Sequence, residues 1–135
     1  MKPAGSLVPN RFVAYVQVSS WDSIFGPIIE MIWASEKGDV DPALAKYVAR
    51  QTLDGEIYRT ESDAEMEIKF HHVPSFDLIL TSIVFSANPR GDGTKFSIAL
   101  LIRGHNLATA LRLHLVLEDR LLFLATQLQA LLNTV

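Results

Sequence analysis

Alternation and helical spacing divide the chain into seven regular segments. Residues 12–19, Phe-Val-Ala-Tyr-Val-Gln-Val-Ser, are rich in β-branched and aromatic side chains and read as a first strand. Trp21-Asp22-Ser23-Ile24-Phe25-Gly26-Pro27 interrupts it with Gly-Pro punctuation. An apolar run at 28–33 is expected to return as a hairpin, through a loop longer than a tight turn. Asp41 is placed to cap a helix, Pro42 suits its first position and Gly55 suits a left-handed exit. Between them Leu44, Tyr47, Val48 and Leu53 recur at helical spacing, with Lys46 and Arg50 on another side. A polar connector at 56–64 leads into the clearest alternation in the chain. There Met66, Ile68 and Phe70 alternate with Glu65, Glu67, Lys69 and His71, so one face is buried and the other meets water or a partner. Residues 78–85 are apolar on both faces apart from Thr81 and Ser82, which suits a central strand. Asn88-Pro89-Arg90-Gly91-Asp92-Gly93 reads as a hairpin loop, and 95–102 as the fifth strand.

The remainder, 107–132, reads as one long helix with two adjoining leucine stripes. One holds Leu107, Leu111, Leu115, Leu122, Ala125 and Leu132; the other holds Leu113, Leu117, Leu121, Leu124, Leu128 and Leu131. Together they cover about half the circumference, more than the ~100° needed to sit on one sheet. The excess is expected to pack on the first helix, with a partner as the alternative. The order β-β-α-β-β-β-α defines an α/β (α+β) sandwich: a five-stranded, mostly antiparallel sheet with helices covering its faces. The helix crossover is expected to set the first and third strands side by side at its centre. Residues 1–11, with two prolines and a glycine, are expected to form a flexible arm, and 12–135 a single domain.

Composition narrows the function more by exclusion than by suggestion. With 135 residues, 49% hydrophobic and 20% charged, the chain can bury a core. A net charge of −3 without a basic run argues against nucleic acid and against attraction to an acidic membrane. The chain has no cysteine, which removes disulfides, thiolate metal sites and a thiol nucleophile, and fits a cytoplasmic protein. Neither a signal peptide nor a run of about 18 apolar residues is present, so direct membrane insertion is not expected.

No constellation for catalysis emerges. His71 and His72 would point to opposite faces of a strand, and His105 and His114 stand alone, so no metal site is expected. There is no Gly-x-Ser-x-Gly elbow, and Gly91-Asp92-Gly93-Thr94-Lys95 lacks the spacing and context of a phosphate loop. Arg90-Gly91-Asp92 spells an integrin tripeptide by chance; Arg90 at a loop tip is a weak candidate for an arginine finger. Asp63, Glu65 and Glu67 form an acidic approach to the third strand, read first as a solvated face. His114 and Glu118 stand four apart on the last helix, as a contact or a register-setting pair. Trp21, Gly26 and Pro27 are read as packing and loop-shaping residues before a partner surface. A pocket near His71, Glu67 and Arg103 would instead indicate a small enzyme or ligand-binding domain.

Five fragments carry a resemblance. Trp21-Asp22-Ser23-Ile24-Phe25-Gly26-Pro27, followed by Ile32-Trp33-Ala34, resembles the opening of the chromosome-nine open-reading-frame protein family linked to ALS and frontotemporal dementia. Thr52-Leu53-Asp54-Gly55-Glu56-Ile57-Tyr58-Arg59 is similar to that family's TLNGEILR, Glu67-Ile68-Lys69-Phe70 to DVKF and Ser82-Ile83-Val84-Phe85 to SLIF. The stretch 113–121, which includes Asp119 and Arg120, resembles LHRVCVDRL. The resemblance spans about residues 12–122.

It implies a longin (upstream DENN) domain in a regulator of small GTPases in vesicle trafficking and autophagy. It further implies pairing with the longin of a second DENN-type protein, in a complex that stimulates GTP hydrolysis with an arginine from the partner. Such a chain is non-catalytic, needs no cofactor and works in the cytoplasm, peripheral to endosomal, lysosomal or autophagic membranes. Family members continue into a DENN domain, whose functions are not carried over. The expected interface is the second strand, Ile28, Ile29, Met31 and Trp33, with Leu44, Tyr47 and Val48 of the first helix. The surplus leucine face adds Leu117, Leu121 and Leu124, in a homodimer or a heterodimer. A longin of a SNARE or tether subunit is the alternative.

Overall fold

Strands whose side chains are apolar on both faces must be covered on both faces, and two such strands take the interior of the sheet. The computed structural model describes residues 5–6, 12–35, 40–54, 66–89 and 93–134. Its strands are β1 (Gly5–Ser6), β2 (Val13–Asp22), β3 (Gly26–Ala34), β4 (Glu67–Val73), β5 (Leu78–Ala87) and β6 (Thr94–Arg103). Its helices are α1 (Pro42–Leu53), α2 (Leu107–Arg112) and α3 (His114–Asn133). The sheet order is β1-β3-β2-β6-β5-β4, antiparallel throughout except for the short parallel pairing of Gly5–Ser6 with Trp33 and Ala34. The five long strands and the helices packed on them form the longin-like sandwich. Two residues of the expected flexible arm are therefore strand.

The expected adjacency of the first and third long strands is not found. β2 pairs with β6, and β4 lies at the far edge beyond β5. β4 carries Glu67, Lys69 and His71 on one face, whereas β5 is buried along nearly its whole length. A strand with a polar face suits an edge, and α1, which precedes it, lies over β3, β2, β6 and β5.

Register assigns the two faces. Tyr15, Gln17 and Ser19 of β2 stand in line with Leu101, Ala99 and Ser97 of β6 and with Leu80, Ser82 and Val84 of β5. This is the side on which Leu44, Ala45 and Val48 of α1 join the core. On the opposite face Val18, Ile83, Phe85, Phe96 and Ile98 share a core with Leu121 and Ala125 of α3. The Phe85 and Phe96 rings stack there, 5.8 Å between centroids.

Sequence chemistry explains how α1 docks. The Asp41 carboxylate accepts from Ala43 N at 2.8 Å, the expected cap, and Pro42 opens the helix. The anticipated exit at Gly55 lies outside the described residues. Its inward face holds Ala45, Ala49 and Thr52, and the sheet beneath offers Ser97 and Ala99. Small residues on both sides permit close approach, and two polar clasps use it. Gln17 Nε2 donates to Ala45 O at 2.8 Å, and the Thr52 and Ser97 hydroxyls bond at 2.8 Å.

The long helix expected at 107–132 is interrupted at Leu113, whose φ of −102° and ψ of 7° leave the helical range. The two halves are anchored separately: Ala110 of α2 against Ile79 and Ile102, Leu121 and Ala125 of α3 beside Phe85. The His114 ring bonds Leu111 O through Nδ1 at 2.8 Å, satisfying a carbonyl that the interruption orphans. His114 is engaged there and not with Glu118.

The Thr52–Ser97 clasp is buried, so Thr52→Val should cost about 1–2 kcal/mol by leaving the Ser97 hydroxyl unpaired. Adding Ser97→Ala should recover part of that loss. Urea unfolding of both single variants and the double variant measures the coupling, and strictly additive losses would show the clasp to be inert.

Candidate partner-binding surfaces

The first hairpin supplies the most distinctive exposed features. Its loop is longer than a two-residue tight turn, as expected, but short: β2 runs to Asp22 and β3 begins at Gly26, so residues 23–25 turn the chain. The local chemistry explains this. Asp22 Oδ1 accepts from both Ile24 N (2.8 Å) and Phe25 N (2.9 Å), folding the loop around one carboxylate. Gly26 follows at φ +79°, a conformation that favours glycine. Trp21 sits opposite Pro27 in the ladder, half-buried. Asp22, Gly26 and Pro27 thus act together as the turn.

The turn lifts Ile24 and Phe25 into solvent, 82% and 80% exposed. The sequence pattern places this pair in the interruption between the first two strands but gives neither residue a role in an interface. Their position just inside a Gly-Pro turn is the signal that could have found them.

β3 forms one edge of the sheet. β1 covers it at Trp33 and Ala34, and no described strand pairs with its outer side along 28–32. The β2–β3 register skips Glu30 in a bulge, and Ser20 of β2 donates to its carboxylate. Ile28 and Ile29 are half-buried, Trp33 is half-buried, and Met31 is 45% exposed.

The other expected interface residues divide. Leu44 and Val48 face inward from α1 and Leu121 from α3; all three are core, so they cannot meet a partner in the folded chain. Tyr47 is exposed on the outer side of α1. Leu124 is exposed on α3 and Leu117 half-buried. The excess leucine face does not pack on α1, because the two helices lie on opposite faces of the sheet. Asp119 and Arg120 are exposed on α3. Gly55, Glu56, Asp63, Glu65 and the Arg90-Gly91-Asp92 tripeptide lie outside the described residues.

The anticipated alternation of β4 holds only in part. Phe70 is exposed, while His71 and Val73 turn toward the α1 side and Val73 enters the core. His71, Glu67 and Arg103 are not brought together. Arg103 donates to Val13 O at 2.9 Å and Ser35 Oγ at 3.2 Å, on the side of β6 away from β4. Among the described residues no three metal-ligating side chains converge, and no helix is long and apolar enough to cross a membrane.

Two groups have displaced protonation, the buried Tyr15 and the half-buried His71. Burial, reinforced by Asp41, pushes the Tyr15 hydroxyl far above its ordinary pKa, and the hydroxyl has no partner. Burial and then Lys69 lower the pKa of His71, whose Nε2 is also unpartnered. Both read as consequences of packing, since neither faces another candidate reactive group.

An α/β sandwich with one unfinished edge, exposed apolar tips and leucine faces, and no convergent reactive groups among its described residues is a longin-like scaffold. Comparison with known proteins is consistent with this class. Residues 47–135 match the C9orf72-like protein family. The guanine nucleotide exchange factor C9orf72 of Homo sapiens is 31% identical over 103 residues, 75% of this chain and 21% of that protein. The guanine nucleotide exchange factor C9orf72 homologs of Rattus norvegicus and Mus musculus match at the same identity and coverage. The chain belongs to the C9orf72-like protein family, and its matched part spans about a fifth of the length of these curated relatives. Their names describe nucleotide exchange, not stimulated hydrolysis.

The lowered pKa of His71 makes a signed prediction. Near and above its ordinary value of 6.5 the neutral ring favours folding, and that contribution is lost as pH falls through the lower folded-state value. His71→Gln should therefore flatten the decline in stability between about pH 7 and 5. Urea unfolding across that range checks it; an unchanged slope would contradict the assignment.

Proposed function

We propose that this chain is the longin-type interaction module of a small-GTPase regulator, and that it pairs with another longin-type domain by strand addition at β3. The observation that carries this reading is the edge along 28–32, which no described strand pairs from outside. Strand addition draws affinity from backbone hydrogen bonds, and an exposed edge supplies them without special side chains. Tyr47 on α1 and the Ile24–Phe25 tip flank that edge and extend the contact. Kinship with proteins named as guanine nucleotide exchange factors supports a GTPase as the regulated molecule.

In this reading the chain supplies architecture. The groups that act on the GTPase come from a partner or from a region beyond the matched fifth of its relatives. Attachment to endosomal, lysosomal or autophagic membranes is then indirect, through the assembled complex.

Two measurements test the pairing, using the longin-containing protein captured from source cells with the whole chain. Hydrogen exchange should show the outward-pointing amides within 28–32, those not bonded to β2, protected in the complex and open in the free chain. Met31→Pro should weaken capture at least about tenfold, a loss of ~1.4 kcal/mol, while near-UV circular dichroism stays native. Protection that appears only on other elements would sink the edge-pairing reading.

A further inference from the structure

The β3 edge is not open to its end. β1 pairs with it in parallel, Gly5 opposite Trp33 and Ser6 opposite Ala34. Because the two strands run the same way, the chain enters β1 from the Ile32 side, across the limit of the stretch 28–32. At the other limit stands Pro27, which has no backbone donor. Between these limits the bulge at Glu30 interrupts the edge.

Length decides what such an edge can hold. With β1 in place, the regular stretches are Ile28 with Ile29 before the bulge and Met31 with Ile32 after it. Strands in sheets are commonly about 5–6 residues long. A pairing over so short a stretch offers few backbone bonds, and each contributes little net. Without β1, the stretch after the bulge runs unbroken from Met31 through Ile32 and Trp33 to Ala34. A partner strand long enough to hold must therefore take the positions that β1 occupies.

β1 itself is weakly held. It has 2 residues, and parallel pairs are slightly less stable per residue than antiparallel ones. Gly5 has no side chain to bury and loses the most chain entropy on ordering. Pro3 and Pro9 stand on either side without donors, so the ladder cannot lengthen continuously into the arm.

We propose that β1 is a displaceable strap on the β3 edge. In the free chain it closes the edge at Trp33 and Ala34; a partner strand that adds to β3 displaces it. The strap rests on strand addition at β3 and makes the N-terminal arm the regulator of that site. Its effect on affinity is arithmetic: the apparent dissociation constant rises as the fraction of chains with an open edge falls. Until a matching strand arrives, it also denies part of the edge to unselected extended segments.

Titration of the full-length chain with the longin-containing protein isolated through it, purified beforehand, tests the strap. Gly5→Pro combined with Ser6→Pro removes both β1 donors. It should lower the apparent dissociation constant at least about threefold, the change expected if the strap is closed in roughly two of three free chains. In the unmodified chain, the β1 amides bonded to β3 should exchange at least about threefold faster in the complex than in the free chain. This exchange measurement needs no variant, so it decides alone if the double variant loses its native near-UV circular dichroism. Unchanged or weaker binding by a folded variant overturns the strap and leaves strand addition standing, as do β1 amides that keep their protection in the complex. Binding by neither the unmodified chain nor the variant overturns strand addition itself, and the strap with it.

Discussion

Everything in this fold follows from the need to cover β5 and β6 on both faces. Leu80 and Leu101 look one way, Ile83 and Ile98 the other, and all four are buried. A sheet with two such strands at its interior needs a helix on each side, so α1 and α3 are kept apart by the thickness of the sheet. Neither helix can shield the other. The exposed apolar surface of α3 is thus a direct result of where the central strands put their side chains.

The two faces reach their cover by different means. On the α3 side bulky rings and branched aliphatics fill the space, with Phe85 stacked on Phe96. On the α1 side alanines and hydroxyl residues bring backbone close to backbone, and orientation is set by Gln17 and the Thr52–Ser97 pair. That second arrangement carries a cost: Gln17 Oε1 and the Ser82 hydroxyl are buried without partners. The polar bonds set the orientation of α1, while Leu44, Val48 and Leu53 bury its apolar face in the core.

Much of this architecture is legible along the chain. The five long strands, the Asp41 cap and the interior character of β5 follow from local composition and alternation. Strand order does not, because pairing β2 with β6 joins residues some eighty positions apart, and no local pattern encodes that. The helix stripes show the same limit. Leucines outline a broad apolar face, but Ala110 and Ala125 are what fit against the sheet, and small residues scarcely register in a hydrophobic pattern. Leu44, Val48 and Leu121 look equally suited to core or interface, and only the path of the helix decides. Asp22 is legible as a turn residue, whereas the exposure of Ile24 and Phe25 depends on how tightly that carboxylate closes the loop.

The β3 edge also limits what can be built from it. Pro27 lacks a backbone donor at one end, β1 occupies the other at Trp33 and Ala34, and the bulge at Glu30 puts a carboxylate and a kink between them. An ordinary flat edge would accept any extended segment, including those of misfolded neighbours, and could propagate into a fibre. In the proposed pairing, a strand added here would have to be short and match the kink, which would limit growth to a single addition. The irregularities that weaken the ladder would thereby separate the proposed pairing from polymerisation.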